Sequence, residues 1–520
     1  MAATTTAGTV PGVGAEERMD PRKLIAFFAM VLGMFMSILD IQIVSASLAE
    51  IQAGLSAGSD EIGWVQTSYL IAEVIMIPLS GTLARIVSTR YLFAFSAAGF
   101  TLSSVLCATA TNIDQMIVYR ALQGFIGGGM IPSVFAAAFT IFPPSKRAIV
   151  SPIIGLIATL APTIGPTVGG YLSHAFSWHW LFLLNLAPGV VCTAAVLAWL
   201  DIDKPQPELF KRFDWWSLLF MSMFLGGLEY TLDDGPRHDW FDDRRVLLCA
   251  LAALLGGGVF LWRSLRTEHP IVDLRAFRNR NFAVTSLISA LLGVSIFTLI
   301  YITPVFLGQV AGYNPLQIGH VMMIQGGTMF LCAPVAGRLQ LSMDPRHVIA
   351  IGLGLIFSGT WLNSHLTSDW GYAQFVLPQA LRGAGFCFSF IPLTGLALGT
   401  LPMQQVHNAS GLFNVTRNIG GALGLAVVNT LINQRTWLHW QQLAESARLS
   451  RAPVREALSG MQGMLRPELG GASQAGSISM LAQMVELQTA TLTYGDMYRL
   501  IACSLLLSMP MILLLRKPRP

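Results

Sequence analysis

Between Leu24 and Leu515 the chain repeatedly runs for 18 or more residues with few or no charges. A helix of that length, rising 1.5 Å per residue, crosses about 30 Å of hydrocarbon. In lipid the backbone N–H and C=O groups find no water, so each segment must satisfy them internally, as an α-helix does. Charged residues make up only 12% of the 520 residues, about half of what a soluble domain carries, and mean hydropathy is +0.58. The fold class this predicts is an all-α polytopic membrane protein.

The apolar stretches resolve into fourteen expected spans. Six lie within 24–200, two near Trp215–Leu232 and Val246–Trp262 lie within 201–281, and six lie within 282–515. The predicted architecture is two six-helix bundles with two inserted helices between them, flanked by tails at 1–23 and 516–520. With the N-terminus in the cytoplasm, five of the seven outer loops hold neither Lys nor Arg; the exceptions are Asp233–Arg245 and the segment after Asn433. This bias puts both termini in the cytoplasm. The segment 434–494 is the one large outer loop, and its run Leu438-His-Trp-Gln-Gln-Leu-Ala-Glu reads as amphipathic helix. The first twenty residues are polar, lack the layout of a cleavable signal, and read as a disordered cytoplasmic tail.

Several function classes fall away. The net charge of +4 is spread over short loops, with no basic face to receive nucleic acid. The six cysteines form no CxxC pair and lie within or beside apolar segments, so neither a disulfide framework nor a metal site is expected. No HExxH occurs among the nine histidines, and none of the five lysines follows Gly-x-x-x-x-Gly, which argues against a membrane-embedded enzyme, a nucleotide-driven pump and a bound cofactor.

The two halves echo each other. Pro78-Leu-Ser-Gly81-Thr-Leu83 recurs as Pro334-Val-Ala-Gly337-Arg-Leu339, 256 positions later. Ala121-Leu-Gln-Gly124, followed by Ile131-Pro132, recurs as Ala380-Leu-Arg-Gly383, followed by Ile391-Pro392. Internal duplication in a membrane chain is the layout of a secondary transporter, and it suits alternating access better than a passive channel.

Ionisable groups within the spans are costly and mark cavities or pairs. Asp40 lies sixteen residues into the first span, about 24 Å along it. Arg120, about one turn inside the fourth, is at a compatible depth, and Glu73 sits near the middle of the second. A carboxylate in this setting, tuned by burial and a nearby guanidinium, can bind and release a proton as water access changes sides. Arg382 and Arg417 fall in the second half, where Arg382 either holds the bundle or attracts anionic groups. Glu229, near the end of an inserted span beside Asp233 and Asp234, reads as interfacial. In the fifth span, from Gly155 onward, Ala158, Ala161, Gly165 and Gly169 make a flat face for a close helix neighbour, and Pro162 and Pro166 are expected to bend it.

This glycine-proline segment, running to Gly170, resembles the antiporter motif of drug:proton antiporters in the major facilitator superfamily. With fourteen spans, the chain resembles the EmrB/QacA-type subfamily from Leu24 onward. Arg120-Ala-Leu-Gln123-Gly124-Phe-Ile-Gly127-Gly128 is similar to the family's helix-4 motif, and Leu39-Asp40 before Ile43-Val44 to its helix-1 motif. Trp178-His-Trp180-Leu-Phe182-Leu-Leu-Asn185 before Pro188-Gly189 is similar to the family pattern that opens helix 6. There are departures. Arg85 and Ser88 stand where the loop after helix 2 usually carries an acid and a glycine, so the gating contact attributed to that acid does not transfer. Gln42, Ser45 and Ala49 replace the common Thr, Asn and Pro.

The resemblance implies a bacterial inner-membrane exporter of hydrophobic or amphipathic drugs, driven by protons. Asp40, Glu73 and Arg120 are the expected coupling residues, and Gln42, Gln123, Arg382, Phe386 and Arg417 the expected substrate-cavity residues. It also implies a periplasmic membrane-fusion adaptor and an outer-membrane channel as partners. Export of one dedicated metabolite, such as a siderophore, fatty acid or antibiotic, is the competing transport reading.

Overall fold

A computed structural model describes residues 20–516 except 59, 60, 143, 268, 269 and 449; side chains are described for all but a small further set, concentrated in 144–163. The helices, in chain order, are α1 (Pro21–Ala46), α2 (Trp64–Val87), α3 (Thr89–Ala108), α4 (Ile113–Ile141), α5 (Pro144–Ala175), α6 (His179–Trp199), α7 (Trp215–Asp234) and α8 (Arg244–Arg266). They continue with α9 (Arg280–Gln309), α10 (Pro315–Ser342), α11 (Pro345–Asn363), α12 (Tyr372–Gly399), α13 (Met403–Ser446) and α14 (Ser473–Leu506).

Among the described residues eleven helices are long and apolar enough to cross a membrane, and α7 and α11 are not among them. Their sequences say why. α7 carries Glu229, Asp233 and Asp234, and α11 opens on Pro345-Arg346-His347. Both are helical where spans were expected, and both pack on neighbours, α7 on α8 and α2 and α11 on α12 and α14, as α5 packs on α1 and α10.

Several helix starts are legible in the chain. Asp20, Asn279, Asn314 and Asp344 each accept a hydrogen bond from a backbone N–H of the first turn, and Pro follows directly at 21, 315 and 345. A capping oxygen satisfies a donor the helix cannot, and Pro at the first position has no donor to lose.

In the first half α1 packs on α5 and α6, α2 on α4, and α3 on α4 and α6; in the second, α9 packs on α13, α10 on α12, and α11 on α12 and α14. The halves meet where α2 lies on α13 and α10 lies on α5. The duplicated motifs explain the matching pairs. A Cβ at Gly124 of α4 would run into the backbone carbonyl of Tyr69 on α2, and one at Gly383 of α12 into that of Gln325 on α10. Tyr69 and Gln325 are 256 positions apart, the offset of the α2 and α10 echo. The repeated glycine therefore performs one job twice, letting two backbones touch.

The inserted helices form a hairpin. Asp214 caps α7 and pairs with Arg263 at the far end of α8 at 2.8 Å. The loop 434–494 is largely helical: α13 runs on through its first part, Ala452–Leu469 forms a separate helix, and α14 begins at Ser473. At 44 residues, α13 is about 66 Å long, roughly twice the hydrocarbon thickness.

Candidate functional site

Asp40 and Arg120 form an ion pair with Nη1 and Oδ2 2.6 Å apart and both side chains fully buried. Charges taken out of water require further hydrogen bonds, and the surrounding helices supply them. Gln123 Nε2 donates to Asp40 Oδ1 at 3.3 Å, and Asn185 Nδ2 of α6 donates to the same oxygen at 2.7 Å. Arg120 also donates from Nε to the Val65 carbonyl at 3.1 Å and from Nη1 to Gln123 Oε1 at 2.6 Å. Its guanidinium lies 4.2 Å from the centre of the Tyr69 ring, where the π face attracts a cation. Ser104 of α3 accepts from both Gln123 and Asn185. Five helices are thus tied to one buried charge pair.

Glu73 belongs elsewhere. It is 4% exposed and lines a cavity of about 130 Å³ between the halves. The cavity's polar groups are Gln42, Glu73, Glu229, Asn414, Arg417 and Asn418, set among apolar walls that include Ile77, Ile131, Phe386 and Phe390. Glu73 Oε1 makes no hydrogen bond among the described residues. Arg417 donates to Asn414 Oδ1 at 3.0 Å and lies 5.3 Å from the centre of the Phe390 ring. Contacts between the halves flank this space. Phe135 meets Phe390 edge-on and Ser410 donates to the Pro132 carbonyl, while Gly319 of α10 lies tight against Thr167 of α5. A site for a drug-sized molecule takes roughly 300–1,000 Å³, more than this cavity of about 130 Å³.

Of the residues expected at a substrate cavity, Gln42, Phe386 and Arg417 line this one, whereas Gln123 and Arg382 do not. Gln123 is committed to the Asp40 network. Arg382 is fully buried in the second half, donating to Gln379 Oε1 at 2.6 Å with its guanidinium 6.0 Å from the Tyr498 ring. The echo is informative here. Arg120 and Gln123 on α4 correspond to Gln379 and Arg382 on α12, the same bonded pair in swapped order. No carboxylate pairs with Arg382 among the described residues, so the second copy keeps the cation but lacks the acid.

The small face of α5 packs on α1 immediately after Asp40. A Cβ at Gly165 would strike that of Gln42, and one at Gly169 would approach the Ile43 carbonyl. Ala161 is fully buried, and Pro166 lies within one continuous helix, Pro144–Ala175. The surroundings of Gly155 and Pro162 lie outside the described residues, and Gly170 is partly buried.

Sequence reasoning left Asn185 without a role, although it stands in the motif opening the sixth span. It also placed Glu229 at the interface, whereas the structure puts it on the cavity because α7 docks along α2.

The profile of the Major Facilitator Superfamily matches residues 30–425. The chain belongs to that superfamily. Its EmrB-type branch is shown by the colistin resistance protein EmrB of Acinetobacter baumannii, 42% identical over 94% of this chain and 96% of that protein. The multidrug export protein EmrB of Escherichia coli K12 is 27% identical over 91% of this chain and 92% of its own length. Among solved structures, the proton:xylose symporter XylE superposes with a TM-score of 0.57 at 12% identity, covering 93% of this chain and 95% of that one. That likeness shows the fold. The EmrB-type chain is a multi-pass membrane transporter.

Proposed function

We propose that this EmrB-type chain is a proton-coupled multidrug efflux transporter that exports hydrophobic or amphipathic compounds by alternating access. It sits in a bacterial inner membrane with both termini cytoplasmic. The bundles at 24–200 and 282–515 rock about the cavity between them. The observation that carries the reading is the division of labour between two acids. Asp40 is locked into a buried pair with Arg120, while Glu73 lines the cavity between the halves with one oxygen unbonded. Tyr69 connects them: it lies one turn from Glu73 on α2 and its ring faces the Arg120 guanidinium. A proton or a substrate arriving at Glu73 changes the charge of the cavity. Asp40 and Arg120 sense the same field, and the glycine face of α5 against α1 carries the response to the helix that meets α10.

The names of the relatives support drugs as cargo. For the adaptor and outer-membrane channel, the helical projection at 434–494 offers a surface: Met464, Ile478, Met480 and Met484 are exposed there. The test is substrate-driven proton movement in proteoliposomes holding the purified chain, with a panel of amphipathic drugs, a polycationic peptide antibiotic and a fatty acid. Wild type is expected to move protons with several compounds, and Glu73→Gln with none. Proton movement with one compound only would establish the dedicated exporter instead, and unchanged coupling in Glu73→Gln would sink the role given to that acid.

A further inference from the structure

The inserted helix α7 is built into the central cavity. Three contacts dock it along α2. The Trp64 and Tyr230 rings stack with centroids 5.3 Å apart and planes 28° from parallel. The Thr67 hydroxyl donates to the Asp233 carboxylate. Gly226 leaves room for Ile71 and Ile75, which a Cβ there would meet at 3.3 and 3.5 Å. With α7 held in this register, Glu229 joins Glu73 and Arg417 in lining the space between the halves.

Two acids, Glu73 and Glu229, and one guanidinium, Arg417, line that space. Glu73 lies within the electrostatic reach of Arg417, whereas the charges acting on Glu229 are the acids Asp233 and Glu73. No cation pairs with Glu229 among the described residues. An ionised carboxylate facing an apolar chamber is stabilised by whatever positive group enters it. The walls around it, including Phe386, Phe390, Ile77 and Ile131, suit a lipophilic body.

We propose that Glu229, carried by the inserted helix, is the cation-selecting residue of the cavity, receiving the positive head of an amphipathic cation whose lipophilic body lies against those walls. The inserted pair is then part of the binding site rather than a spacer between bundles. This deepens the efflux reading and rests on it for the cavity's role in transport.

The test uses two probes of nearly one shape and opposite charge, tetraphenylphosphonium and tetraphenylborate, binding to the full purified chain in detergent. Their affinity ratio is compared between wild type and variants, so that partitioning into the micelle cancels. Glu229→Gln is expected to lower the cation-to-anion ratio about tenfold or more, the scale of one charge pair at reduced dielectric, while Glu229→Asp retains most of it. A second measurement needs no variant: a hydrophobic carbodiimide modifies buried carboxyls, and mass spectrometry reads the peptide holding Glu229. Tetraphenylphosphonium is expected to protect that residue and tetraphenylborate to leave it reactive. An unchanged ratio in Glu229→Gln, an equal fall in both variants, or labelling of Glu229 that the cation does not suppress overturns the proposal. Neither measurement requires a proton gradient, so failure of proton coupling and failure of cation selection are told apart.

Discussion

Replacing Asp40 by Asn isolates the buried pair with little change of shape. The carboxylate accepts from Arg120 at 2.6 Å, from Asn185 at 2.7 Å and from Gln123 at 3.3 Å. Both of its oxygens face donors. Whichever way the Asn amide is placed, its NH2 group therefore meets an N–H, and Arg120 is left as a fully buried cation with no counter-charge. Removing one partner of a buried ion pair costs about 3–5 kcal/mol, which is roughly two to four orders of magnitude in the folding equilibrium. Arg120 keeps its bond to the Val65 carbonyl and its contact with Tyr69, which holds the expectation toward the lower end. The double variant Asp40→Asn/Arg120→Gln removes the stranded charge as well, so it is expected to recover about 1–3 kcal/mol relative to the sum of the singles. Equilibrium unfolding of the purified chain in mixed micelles, followed by tryptophan fluorescence, measures all four corners of the cycle. If Asp40→Asn stays within about 1 kcal/mol of wild type, or the singles add to within about 0.5 kcal/mol, the pair is not the tie that binds the first bundle.

The second half predicts the opposite sign. Arg382→Gln removes a buried guanidinium that strands no acid, so unfolding experiments are expected to find it neutral or stabilising by about 1 kcal/mol, whereas Arg120→Gln, which strands Asp40, destabilises. Gly124→Val and Gly383→Val both drive a side chain into a facing backbone; each is expected to cost upwards of about 3 kcal/mol and to abolish monodisperse protein in size-exclusion chromatography. Gly165→Leu wedges α5 from Gln42 on α1 and is expected to stop drug-driven proton movement in liposomes while tetraphenylphosphonium still binds; intact transport would show that this interface does not move. Asp214→Ala releases the clasp to Arg263, and faster proteolysis within the 201–281 linker is the expected readout.

Much of the fold was legible because lipid leaves the backbone few choices. Span positions, the capped starts at Asp20, Asn279, Asn314 and Asp344, and the echo of Gly124 in Gly383 all follow from local chemistry or from one helix touching its neighbour. The pairing of Asp40 with Arg120 was approachable from depth alone, since two buried charges at one level of a bundle seek each other. Partners without charge gave no such signal: Asn185 stood in a motif that assigned it no role and Ser104 is unremarkable in the chain, yet they complete the shell around Asp40.

By itself, the sequence determined an all-helical membrane chain, its duplication, and the short set of charges that had to be satisfied inside it. These are consequences of solvent and of residue type, and they need no knowledge of which helix faces which. Only the tertiary structure decided the allegiance of each charge. Glu73 reaches the cavity while Tyr69, one turn away on the same face of α2, lies against Arg120. The docking of α7 along α2 turns Glu229 from an interfacial acid into a wall of the cavity. Depth along a helix can be counted from the chain, but the direction a side chain faces depends on how the helices pack.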